Sequence, residues 1–489
     1  MVAVLCAAIA FPGIAHAGCN EVLAALGRTV VDVTCFKSAD LTTNNPATTP
    51  ADNSIPGLPP GAFTPTTDRT VISPDPPFRT SITKAVPGYQ LNGRFADDPT
   101  KEARFLLRFP DDWNGSLVVA GASGTRSEFN GDFAWSDYVV QKGYAYASQN
   151  KGVLNLRITG IGLPTPPTAN SCRLNPASTI WVEFYDNDPA KPFTQWTQYI
   201  VEGTSLAKQA VKAQYNHHPR RTYAVGTSNG GYQVRRALET APELFDGGVD
   251  WEGTFVDALG PNILIDLPPA IRNWPDCASA YNPNSQAAKN IEAAGYPPNL
   301  PGAPLTFWGR YCSQFWEVTQ CQWQKRFDPA WITYNDGPND VTGTGGYNYY
   351  ARIAADPSIA ARVAAIATTG NIKRPLVTVA GTMDALLPIK RGARAYEELV
   401  RAQGRDRDSG GGRSPQYRLY EVQNGNHIET YKNFFPQLEF IQPHAQKAFD
   451  LLVNHIESGA LLPASQCIPR GGAIAATPSQ PGHCANLLQ

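Results

Sequence analysis

One tight, glycine-bracketed turn constrains this chain more than any other feature. Gly226-Thr227-Ser228-Asn229-Gly230-Gly231 follows the apolar run Thr222-Tyr223-Ala224-Val225 and precedes 232–238, which reads as helix. Strand, G-x-S-x-G and helix in that order place the serine at the corner of a sharp strand-to-helix turn. Such a corner holds its residue in a strained backbone conformation, and a Cβ two residues to either side would collide. The serine hydroxyl then stands clear of the sheet, above a helix N-terminus whose unpaired N–H groups favour negative charge.

This turn is the nucleophile elbow of the α/β-hydrolase fold, in which serine, acid and histidine follow one another along the chain. Pro375-Leu376-Val377-Thr378-Val379-Ala380 is a buried-strand pattern, and Gly381-Thr382-Met383-Asp384 follows it directly. Asp384 thus falls at the C-terminal end of a parallel strand, where such sheets carry their functional groups. A helix over 391–402 and a strand over 417–422 come next, followed by the polar loop Asn424-Gly425-Asn426-His427. Ser228, Asp384 and His427 are the expected nucleophile, acid and base. The rival acid is Asp250, at the end of the strand after the nucleophile.

The other histidines of the seven offer little competition. His16 lies in a leader, His217 and His218 in a polar run, and His444, His455 and His483 in the C-terminal region. No further ligand follows the paired histidines at zinc-site spacing, so no metal is expected. Acyl transfer also needs donors for an oxyanion. The N–H of Asn229 is one, and the small-residue loop Gly121-Ala122-Ser123-Gly124 after the strand Ser116-Leu117-Val118-Val119-Ala120 supplies another, placed at Ala122 beside Gly121.

A net charge of −1 gives no electrostatic case for nucleic acid or a membrane surface. Residues 2–15 are apolar, and Ala15-His16-Ala17 is an A-x-A cleavage signal, so 1–17 reads as a signal peptide of a secreted protein, extracellular or periplasmic. Gly18-Cys19 resembles a lipoprotein junction, but His16 stands where that signal wants an aliphatic residue. Eight cysteines remain beyond the leader, an even number that implies disulfides in an exported chain. Cys19–Cys35, Cys312–Cys321 and Cys467–Cys484 are the local pairings, leaving Cys172 with Cys277, although spacing alone does not fix connectivity.

The chain divides into an extended, Pro/Thr/Asn-rich N-terminal segment (18–81), a first part of the α/β core (82–260), an insertion (261–369), a second core part (370–460) and a disulfide-stapled tail (461–489). Strands are expected near 103–109, 117–120 and 144–148, and a long helix over 193–216. The insertion, helical and Pro-punctuated, holds five of the ten tryptophans and lies between nucleophile and acid. It therefore reads as a lid. Trp308, Trp316 and Trp323 would offer an aromatic or acyl subsite, unless they form the lid's own core.

Asp111-Asp112-Trp113-Asn114-Gly115, Lys142-Gly143-Tyr144-Ala145 and Glu243-Leu244-Phe245-Asp246-Gly247 resemble motifs of the tannase and feruloyl esterase family. That resemblance implies a secreted serine esterase with a large lid, acting on gallate or hydroxycinnamate esters. The family's cysteines beside nucleophile and base are replaced here by Thr227 and Ile428. Ser228-Asn229-Gly230-Gly231 also looks like the elbow of extracellular 3-hydroxybutyrate oligomer hydrolases, which implies oligomeric hydroxyalkanoate esters instead. Relatives in the tannase family hold calcium in the lid; Asn335-Asp336-Gly337-Pro338-Asn339-Asp340 lacks the ligand count and closing Glu of such a loop and reads as a solvated turn. A prolyl-peptidase-like reading lacks a clamp for a peptide amine, and a catalytically silent binding protein would be expected to lack a triad member.

Overall fold

The computed structural model describes residues 17–51, 62–183, 192–331, 344–406 and 417–489. The leader and the 335–340 turn lie outside them. Among the described residues, ten strands form one sheet in the order β1-β2-β3-β5-β4-β9-β10-β11-β12-β13. These are β1 (Val30–Ser38), β2 (Gly88–Phe95), β3 (Arg104–Pro110), β4 (Ser116–Gly121), β5 (Ala145–Gln149), β9 (Arg221–Thr227), β10 (Gly247–Trp251), β11 (Leu376–Gly381), β12 (Tyr417–Val422) and β13 (Gln466–Ile468). The first three pair antiparallel, and every pairing from β5 through β4 to β13 is parallel. The expected α/β-hydrolase architecture, a mostly parallel sheet flanked by helices, is present.

Parallel strands covered on both faces read as unbroken apolar runs, which is why β4, β9 and β11 were visible in sequence. One face is covered by the helices Thr194–Tyr215 and Ala393–Ala402. The first buries Trp196, Tyr199, Ile200, Leu206, Ala207, Ala210 and Val211, the three-to-four spacing of a single helix stripe. The other face carries the helix Gln442–Ser458, through Ala445, Phe449 and Leu452.

Three features depart from the sequence reading. Within 18–81, where only extended chain is expected, the helix Cys19–Leu26 and β1 form, stapled by Cys19–Cys35. A second, three-stranded sheet is built from β6 (Arg157–Ile161), β7 (Cys172–Arg173) and β8 (Ile180–Glu183). Two pairings are corrected: the bridges are Cys172–Cys321 and Cys277–Cys312, while Cys467–Cys484 stands as expected. The reason is geometric. Cys312 and Cys321 lie on one continuous helical stretch from Phe307 to Phe327. Nine residues of helix separate their Cα atoms by roughly 13 Å along the axis, about twice the reach of a disulfide.

The described residues of 261–369 are largely helical, and Trp274, Trp308, Trp316 and Trp323 pack in a core that also takes in Trp196, Tyr232, Met383 and Ile428 from the rest of the chain. Among the described residues, no helix is long and apolar enough to cross a membrane.

Candidate active site

β9 ends in the turn that carries Ser228, whose backbone sits at φ +58° and ψ −122°. The left-handed φ on a non-glycine residue is the strain expected of an elbow. Its neighbours explain the glycines. A Cβ on Gly226 would lie 2.3 Å from Gly230 O, and one on Gly230 would lie 2.3 Å from Gly121 O. The turn is thus wedged between its own helix and the end of β4.

β11 delivers Asp384 and β12 delivers His427, both buried. His427 Nδ1 lies 2.8 Å from Asp384 Oδ2, while Asp384 Oδ1 accepts the N–H groups of Leu386 and Leu387, each at 2.7 Å. One carboxylate oxygen is therefore engaged by backbone, which aims the other at the imidazole. Ser228 and His427 line one cavity.

The rival Asp250 is elsewhere. It pairs with Arg235 at 2.6 Å, both side chains fully buried, and accepts from Gly253 N–H and Thr378 Oγ1. Removing one partner of such a pair leaves an uncompensated buried charge. Asp250→Ala is expected to cost about 3–5 kcal/mol of stability. Urea unfolding measures that loss, and the activity per labelled active site should stay close to wild type; a selective loss per site would return Asp250 to the acid's role.

A residue missed in sequence stands beside His427 instead. Glu252 follows β10 with φ +51°, and its Oε2 lies 3.4 Å from His427 Nδ1. Its Oε1 accepts Gly381 N–H at 3.0 Å. Burial, and then the charge of Asp384, push its carboxyl well above the usual carboxylate range. It occupies the strand end next to that of Asp384, so the available signal was an acid one residue past a predicted strand. Among the described residues, Glu252, Asp384 and His427 also offer atoms to a cation within 4.8 Å of one another. His427 Nδ1 and Asp384 Oδ2 face each other at hydrogen-bond distance, 2.8 Å.

Of the residues expected to supply oxyanion donors, Asn229 lines the cavity and the 121–122 positions do not. Ser123, Gly124 and Asn229 line the cavity, whereas Gly121 is packed against Gly230 and neither it nor Ala122 is part of the lining. Fully buried Lys151 donates to Ala122 O at 2.9 Å and to Ser123 O at 3.3 Å. Burial pulls its amine down to about 7, against the opposing pull of Asp68. Ser123 N–H is engaged by Asn130 Oδ1 at 3.0 Å. Because C=O and N–H point opposite ways across a trans peptide, a Ser123 carbonyl turned to Lys151 turns Gly124 N–H away from it.

Helices of the insertion line the cavity on one side. Phe315, Thr319 and Trp323 contribute wall, opposite Leu386 and Leu387. Trp323 is the one expected tryptophan that lines it. Trp308 is buried against Trp274 and Tyr281 and donates to Pro297 O, and Trp316 donates at 2.7 Å to Ala385 O, the residue after Asp384. These two pack the insertion and buttress the loop after Asp384. Tyr311 OH likewise donates to Asn426 Oδ1, beside His427.

The model of the 3HB-oligomer hydrolase family matches residues 336–486, a stretch that contains Asp384 and His427 but not Ser228. A D-(-)-3-hydroxybutyrate oligomer hydrolase of Burkholderia thailandensis is 36% identical over 128 residues, 25% of this chain and 17% of that protein. Its counterpart from Burkholderia mallei is 34% identical over the same length and shares. The matched stretch thus spans about a sixth of those relatives. Among solved structures, feruloyl esterase B from Aspergillus oryzae superposes with a TM-score of 0.51 at 13% identity, covering 92% of this chain and 90% of that one. A second esterase from Aspergillus oryzae gives 0.50 at 13% identity, covering 88% and 87%. The likeness places the chain in the α/β-hydrolase fold. The resemblance to both families seen in the sequence therefore recurs, one in local sequence and the other in overall structure.

Proposed function

We propose that the protein is a secreted serine ester hydrolase that cleaves short hydroxyalkanoate-type esters. The observation that carries the chemistry is the Asp384–His427 hydrogen bond opening into the same cavity as an elbow serine. In this reading His427 takes the Ser228 proton as Oγ attacks the ester carbonyl, Asp384 holds Nδ1 protonated and stabilises the imidazolium, and an acyl-enzyme forms and is hydrolysed. The N–H groups of Asn229 and Gly124 face the developing oxyanion. Export is supported by four disulfides among the described residues, which persist in oxidising compartments. The inserted helices act as the lid.

Substrate size follows from the cavity. It offers about 60 Å³, where one water needs roughly 10–15 Å³ by the same measure. That suits a four-carbon hydroxyacyl unit better than a gallate or hydroxycinnamate ring. Bulky aromatic esters remain the second reading, favoured by Trp323 and Phe315 in the wall. A panel of p-nitrophenyl acetate, butyrate and octanoate with hydroxybutyrate dimer, gallate and cinnamate esters separates them, and a chain inert toward all would be a binding protein. Trp323→Phe should relax the limit, raising kcat/KM for octanoate relative to acetate by about tenfold, since one to two extra methylenes of room are worth 1–3 kcal/mol. An unchanged chain-length profile in a folded variant would remove Trp323 from the acyl wall.

A further inference from the structure

Lys151 is a buried charge to which acyl transfer assigns no task. It lies two residues past β5, wholly enclosed, on backbone at φ +64°. Both features are costly. A lysine out of water loses its hydration, and a side chain in the left-handed region is strained, a combination that persists only where the surroundings over-determine it. Here they do. Lys151 N–H donates to Gln149 Oε1, and Gln149 Nε2 donates at 3.1 Å to Gln233 Oε1, on the helix that begins with Asn229. The lysine is thereby fixed to the element whose first residue follows Ser228.

Its side chain reaches the loop after β4. Nζ donates to Ala122 O at 2.9 Å and to Ser123 O at 3.3 Å, two neighbouring carbonyls drawn to one ammonium. The N–H groups of the same two peptides, those of Ser123 and Gly124, are therefore directed away from it. Asn130 Oδ1 takes the first at 3.0 Å. The second belongs to Gly124, which lines the cavity with Ser228 and Asn229 and sits at φ +42°. A cation on the carbonyl side of a peptide also polarises it, so that its N–H becomes a stronger donor.

We propose that Lys151 is a positioning residue for the oxyanion hole: it holds the Ala122 and Ser123 carbonyls, aims the Gly124 N–H at the substrate carbonyl, and strengthens that donor as negative charge develops. This rests on the serine-hydrolase reading above and adds to it the group that shapes the oxyanion loop. Two charged groups act on the amine, Asp68 at the end of the short helix Pro65–Asp68 and Arg126 on the loop itself. Burial brings the amine down to about 7; Arg126 adds to that pull and Asp68 opposes it. The charge is thus complete at acid pH and is lost as pH rises through about 7, while the neutral amine still has N–H groups for both carbonyls. Oxyanion support should weaken over the same interval.

Lys151→Met keeps the length of the side chain and removes both donor and charge. Its kcat on p-nitrophenyl acetate should fall about 100- to 1000-fold, the scale for one oxyanion donor, with KM within about twofold of wild type. Inhibition by a trifluoromethyl ketone, which adds to the Ser228 hydroxyl as a tetrahedral oxyanion, should weaken by the same factor. Rates are taken per active site, counted by exhaustive fluorophosphonate labelling of Ser228. In wild type kcat should decline between about pH 7 and about pH 9 as the amine is neutralised, and the variant should lack that decline. A loss carried by KM, or kcat and ketone affinity per site equal to wild type, overturns the proposal and leaves the hydrolase reading standing. Wild-type protein that neither takes the label nor turns over the ester fails the hydrolase reading instead. Should Lys151→Met not fold, the wild-type profile decides, and a level kcat across that interval overturns the proposal.

Discussion

Ser228→Ala should leave a folded protein that neither reacts with a fluorophosphonate nor turns over an ester, with kcat lowered by about a millionfold, the scale seen when a triad nucleophile is removed. The size follows from the position. Ser228 is held at φ +58° by glycines whose replacement would drive a Cβ within 2.3 Å of a backbone carbonyl, so no neighbouring hydroxyl can take its place. Labelling should be stoichiometric and confined to Ser228, as mass spectrometry of the modified peptide would show. Alanine at this corner keeps the strained backbone and removes only Oγ, so thermal stability should be nearly unchanged. Turnover near wild type in that variant would remove the nucleophile, and with it the whole reading.

Asp384→Asn is the second large effect, and Glu252 shapes it. Neutralising a triad acid lowers kcat by up to about four decades, because the imidazole takes the wrong tautomer and its cation loses its partner. Here a second carboxyl lies 3.4 Å from the same nitrogen. In the native protein burial, and then the charge of Asp384, push the Glu252 carboxyl well above the usual carboxylate range. Removing that charge lowers the Glu252 pKa, and above the new value an ionised Glu252 can face Nδ1. The single variant should therefore regain activity as pH rises, and the double variant Asp384→Asn/Glu252→Gln should not. Identical, pH-independent losses in the two variants would reduce Glu252 to a strut between β10 and β11.

The parts of this molecule that sequence reveals are those whose signals are local. β9, β11 and β12 are runs of apolar residues because both faces of a parallel sheet are covered, and the chain order of serine, acid and histidine follows from which strands end at the same edge. The β6–β8 sheet was not legible. Its strands are two to five residues long and separated by Pro- and Thr-rich turns, and its first pairing is broken by an irregular register. Glu252 was invisible for another reason. It stands beside His427 only through folding, and no spacing along the chain encodes that approach. The tryptophans illustrate the limit from the opposite side: composition located them in the insertion, but only packing distinguishes Trp323 at the cavity from Trp308 and Trp316 behind it.

The Cys172–Cys321 bridge ties β7 to the helix Glu317–Phe327, at a point flanked by Thr319 and Trp323 of the cavity wall. Ser228, Asp384 and His427 are carried on the large sheet instead, so the bridge bears on the wall and not on the strands that hold them. On the proposed reading, mild reduction should therefore broaden the chain-length profile before it lowers the rate on the smallest ester, and an equal loss on every ester would show that the bridge holds the whole fold.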